Sequence, residues 1–88
     1  MKIKDGFILR TVAGQNVVVP VGTGAVNFNG MVSFNESGAF LWSLLTNDTT
    51  KEQLVCSLLK EYEVEEIRAE ADVTAFLAKL REAKLLDE

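Results

Sequence analysis

Apolar and polar positions change their spacing repeatedly along this chain, and each change marks an element. Phe7-Ile8-Leu9-Arg10-Thr11-Val12 is rich in β-forming residues, and so is Val17-Val18-Val19-Pro20-Val21. Ala13-Gly14-Gln15-Asn16 supplies turn residues between them, so the pair predicts a β-hairpin. Pro20 has no N–H to donate and is expected at an edge or near its strand's end. Gly22 to Gly30 then reads as a loop. Its Gly22-Thr23-Gly24 would cradle a phosphate only if a helix followed, and the next element has the pattern of a strand.

That strand is Met31-Val32-Ser33-Phe34, whose period of two puts Val32 and Phe34 on the core face. Asn35 ends it and is placed to cap a helix over Glu36–Thr46 by accepting from a free backbone N–H. Ala39, Phe40, Leu41, Trp42, Leu44 and Leu45 cover most of that helix's circumference, which predicts a central, buried element with Trp42 in the core. Asn47-Asp48-Thr49-Thr50 breaks it. Thr50 and Gln53 have the spacing of a capping box, and Leu54, Val55, Leu58, Leu59 and Tyr62 form the apolar stripe of a second helix. A third and longest helix starts near Glu66 or Arg68. Val73, Phe76, Leu77, Leu80 and Lys84 lie on one face, and Leu85 and Leu86 are expected to fold back onto the core. Beside this face runs a mixed stripe of Asp72, Phe76, Lys79 and Ala83. Spacing alone reads it as a solvated flank with Phe76 at its margin; the alternative is one wall of a groove.

Composition narrows the chemistry. The 88 residues are 48% hydrophobic, enough for one domain spanning 1–88 and too few for two independent cores. There is no histidine, which removes the usual general base near neutral pH and the commonest transition-metal ligand. The single cysteine, Cys56, allows neither an internal disulfide nor a Cys/His metal site, and no basic neighbour in sequence activates it. We therefore expect a protein that is not an enzyme, with no metal and no cofactor. No apolar run is long enough to cross a bilayer, and no signal-peptide core is present, so a reduced, cytoplasmic location is expected with no membrane partner. Charge is uneven. Residues 1–34 carry a net +2, whereas residues 35–88 carry six basic against twelve acidic side chains. An acidic helical half is a poor surface for a phosphate backbone and disfavours nucleic acid.

Three strands followed by three helices give an α+β, winged helix-turn-helix-like order, with an antiparallel sheet. The segments "SFNESGAFLWSLL", "TTKEQLVCSLLKEYE" and "ADVTAFLAKLREAKLL", in this order and at these lengths, resemble the PqqD-like family, also called RiPP recognition elements. The likeness covers the chain from Phe7 onward. One departure is Lys84, where the family often has glycine before its final Leu-Leu. The resemblance implies binding of a precursor peptide's leader segment, which adds as a further strand beside the third strand, in the groove with the third helix. Carried onto this chain, the edge is Met31, Val32, Ser33 and Phe34, and the opposing wall is Asp72, Phe76, Lys79 and Ala83. Lys79, with Arg81 or Lys84 nearby, is then expected to meet an acidic leader residue, and Asp72 a basic one. The implied role is a non-catalytic peptide chaperone that presents the leader to a separate maturation enzyme, often of the radical SAM type. Two other readings fit the element order: a winged-helix DNA-binding or transcriptional module, which the charge of residues 65–88 opposes, and a general small adaptor.

Overall fold

The structure, a computed structural model, describes residues 1–22 and 32–88. Strand β1 (Lys2–Ile3) is followed by β2 (Phe7–Val12), β3 (Gln15–Pro20) and β4 (Ser33–Phe34). Three helices come next, α1 (Glu36–Leu44), α2 (Lys51–Glu61) and α3 (Glu66–Glu82), and β5 (Leu86–Asp87) ends the chain. The expected α+β order is present, with an antiparallel sheet in the order β2-β3-β4. The loop expected over Gly22–Gly30 falls, from Thr23 on, outside the described residues, as does Met31.

The hairpin turn is tighter than the composition suggests. Gln15 and Asn16 belong to β3, and the reversal is made by Ala13 and Gly14 alone, at φ 52° and 79°. Two successive positive φ values are what a two-residue turn needs to match the strands' twist. Asn16 looks like a turn residue but serves the sheet. Its side chain donates to the Phe34 carbonyl across the β3–β4 pair and accepts from the Thr11 hydroxyl. Pro20 is the last residue of β3, where its missing N–H interrupts nothing further. The far half of β2 projects beyond the core, leaving Val12 55% exposed.

Helix packing follows the apolar stripes. Asn35 caps α1 by accepting from the Gly38 N–H at 2.9 Å. The Thr50–Gln53 capping box opens α2 with both reciprocal bonds formed. Leu41, Trp42 and Leu45 meet Leu54 and Leu58 of α2 and Val73, Leu77 and Leu80 of α3 in one buried cluster. Val18 of β3 reaches the same cluster from the sheet, so the core lies between sheet and helices. Cys56 is exposed. Among the described residues no helix is long and apolar enough to cross a membrane.

The end of α3 corrects one expectation and explains another. Lys84 does not share the buried face of Val73 and Leu80; it lies beyond the helix, exposed, with φ 59°. The Lys84 N–H donates to the Arg81 carbonyl and the Leu85 N–H to the Leu80 carbonyl, which together form a Schellman ending. Leu85 and Leu86 are thereby turned into the core, and Leu86 pairs with Ile3 in a short second sheet, β1-β5. Lysine here does a glycine's task at a steric cost. Lys84→Gly is expected to raise the unfolding free energy by about 1 kcal/mol, read as a higher urea midpoint at unchanged m-value.

Candidate functional site

The sheet ends at β4, and the direction of its peptide groups decides what that edge offers. Along a strand, alternate residues send their N–H and C=O to opposite sides. The Val32 carbonyl accepts from the Val18 N–H at 2.9 Å, and Phe34 stands opposite Asn16. Val32 and Phe34 are therefore spent on β3, and Ser33 turns its N–H and C=O outward. Among the described residues no backbone segment pairs with that side of β4.

Opposite this edge stands α3. Phe34, half-buried, packs its ring 5.0 Å from that of Phe76 and 6.1 Å from that of Trp42, each at a tilt. These aromatic contacts join β4, α1 and α3 and form the floor of a groove of about 380 Å³. Phe76 is only 6% exposed, so it is part of the core as much as of the groove and not the edge of a solvated flank. Asp72 and Lys79 lie one turn to either side of it on the groove wall. The Lys79 ammonium crosses to the sheet edge, donates to the Ser33 carbonyl at 2.5 Å and sits 4.7 Å from the centre of the Phe34 ring.

The structure thus brings Ser33, Phe34, Asp72, Phe76 and Lys79 together. Val32 supports the edge from the core side. Ala83 caps the C-terminus of α3, partly buried against the core, and is not in the groove lining. Of the cations expected near Lys79, Arg81 faces elsewhere: its guanidinium makes a bidentate pair with Glu88 at 2.7 and 3.0 Å. That pairing holds the Glu88 carboxyl below its ordinary range, chiefly through the hydrogen bonds from Arg81. Lys84 is committed to the turn after α3.

Other residues complete the groove although the sequence pattern does not assign them to it. Asn35, Ser37 and Gly38 bring the start of α1 to its upper end, and Arg68 faces them from α3, 3.7 Å from Asp72. Gly38 has the clearest reason to be small. A Cβ there would stand 2.7 Å from the Phe34 Cβ, so α1 approaches β4 as closely as backbone allows. A second concavity, of about 430 Å³, lies between α2 and α3, with Val55 and Leu59 ringed by Glu52, Glu66 and Glu70. It offers no unpaired strand. Among the described residues no three or more Cys, Asp or Glu side chains are grouped to hold a metal ion.

The fold as a whole has counterparts among known proteins. The chain is similar to TbiB1 in complex with the TbiA(beta) leader peptide, at 28% identity and a TM-score of 0.75, covering 99% of this chain and 95% of that one. It also shares the fold of a lasso peptide synthetase B1 complexed with the leader peptide, at 20% identity and a TM-score of 0.70, covering 96% and 93% of the two chains. A search of curated protein sequences finds no match. The family described as coenzyme PQQ synthesis protein D (PqqD) matches residues 15–86, from the start of β3 through α3 to Leu86, and with most of its length matched this chain belongs to the PqqD family.

Proposed function

We propose that this protein binds the leader segment of a ribosomally made precursor peptide, as an extra strand along β4 in the groove against α3. It then presents that peptide to a separate maturation enzyme, for which the radical SAM type is the family's common partner. The observation that carries the reading is the outward-facing Ser33 peptide group, set over an aromatic floor and facing a helix. Backbone groups at such an edge accept any extended guest in register, and the pocket between edge and helix reads its alternate side chains. Relatives whose structures hold leader peptides share this fold across nearly the whole chain.

The energetics favour a guest that brings apolar side chains. Each backbone bond contributes about 1 kcal/mol net, which does not offset the ordering of a free peptide. Burying a few hundred Å² of guest surface over Phe34, Leu41 and Phe76, at about 25 cal/mol per Å², adds several kcal/mol and brings micromolar binding within reach. The protein contributes position, not chemistry. It holds the substrate near the enzyme and raises its effective concentration there.

The test is an amide-resolved NMR titration with leader segments of short precursor-like peptides sought among the neighbouring genes. Shifts are expected to concentrate at residues 32–34 and 68–79. A saturable titration that leaves both stretches unmoved would sink the proposal.

A further inference from the structure

Lys79 is placed where a guest strand has to go. Its ammonium donates to the Ser33 carbonyl at 2.5 Å, and that carbonyl is the acceptor an added strand would use for its own N–H. Among the described residues no carboxylate lies within ion-pair distance of Lys79; Asp72, on the same wall, is beside Arg68. The Lys79 side chain is exposed, so nothing in the core fixes it to Ser33. Its second contact, with the Phe34 ring at 4.7 Å, lies on the helix-facing side of β4 and does not depend on the carbonyl.

Resting on the reading of the groove as a peptide site, we propose that Lys79 is a placeholder that reads charge. An incoming strand takes the Ser33 carbonyl, and the displaced ammonium, still over the Phe34 ring, is left in position to meet an anionic partner on the guest. That partner is a carboxylate side chain on the guest. Side chains alternate between the faces of a strand, so the acidic residue neighbours the guest residue that pairs with Ser33 and points toward α3. The groove then couples two events. Backbone pairing alone loses the lysine's bond, whereas pairing with the acidic residue in register replaces it. An acidic guest is otherwise disfavoured by the protein's net charge of −4, which makes selection by this one cation local and register-dependent.

The experiment is selection of a displayed random-peptide library on the wild type and on Lys79→Met, followed by calorimetry of a selected peptide and its Glu→Gln or Asp→Asn counterpart. Wild-type selections are expected to share one acidic position beside an apolar pair. The acidic peptide should bind about 10-fold tighter than its amide counterpart, a preference weakened by salt. Lys79→Met should select the same apolar positions without the acid and bring that ratio to about 1, while Lys79→Arg restores it. With its competitor gone, Lys79→Met should also bind the amide peptide about 2- to 5-fold tighter than wild type does. Wild-type selections without a fixed acidic position, or an acid preference that survives Lys79→Met, overturn the inference. Enrichment of no peptide at all overturns the peptide-site reading and the inference with it.

Discussion

Ser33→Pro is expected to leave the domain folded and to weaken peptide binding about 30- to 100-fold. In most strands such a change would break the sheet, because proline removes a ladder donor. Here the donor that disappears faces away from β3. The Val18 N–H to Val32 carbonyl bond and the Asn16 side-chain bond to the Phe34 carbonyl both remain, because neither uses the Ser33 N–H. An edge strand tolerates proline when its N–H side is the open one. A guest strand, by contrast, loses a bond at the outward-facing residue of β4 and meets the pyrrolidine ring on its approach. The expected loss is about 2–3 kcal/mol, one hydrogen bond plus the misfit around it. Urea unfolding and calorimetry on the same variant separate the two effects. Unchanged affinity in a folded Ser33→Pro protein would mean that the guest does not use this edge.

Much of the framework was legible because its signals are local. Asn35 after an alternating strand, and Thr50 with Gln53, mark helix starts that the structure forms with the expected bonds. The stripes of α2 and α3 identify the core leucines correctly, since burial follows helical spacing whatever the partner. Expectation and structure part where a conformation has no compositional mark. Ala13 occupies a positive φ normally left to glycine or asparagine, so composition spreads the turn over four residues when two make it. Strands β1 and β5 have two residues each, too few to show a period, and are held by pairing across the length of the chain. Lys84 fits a helical face by arithmetic, but the helix has already ended. In the site, Asp72, Phe76 and Lys79 emerge from spacing and family resemblance together. The bond from Lys79 to Ser33 joins residues 46 positions apart, and no pattern along the chain encodes it. Arg68, Ser37 and Gly38 were invisible for a similar reason: their place in the groove depends on the angle at which α1 and α3 meet the strand.

Gly38→Val is expected to cost about 2–3 kcal/mol of stability and to impair the groove in the same step. Helix propensity alone predicts a different sign, because glycine inside a helix is about 1 kcal/mol worse than alanine and valine is also better than glycine. Packing decides against it. The first atom of any side chain at position 38 meets the Phe34 Cβ at 2.7 Å, and the ring carbons follow at 3.1 and 3.2 Å. A Cβ is fixed to its backbone and cannot rotate aside as a side-chain tip can. Relief therefore requires α1 and β4 to separate, which draws Phe34 away from Trp42 and Phe76 and disturbs the floor on which a guest would lie. Gly38→Ala sets the scale: its propensity gain offsets part of the clash, leaving a net loss of about 1 kcal/mol, and Val adds branching against the same wall. Urea midpoints should fall in the order Gly, Ala, Val, with peptide affinity falling alongside. A Gly38→Val protein as stable as wild type would show that the strand and helix have room to part, and that Phe34 is not pinned between them.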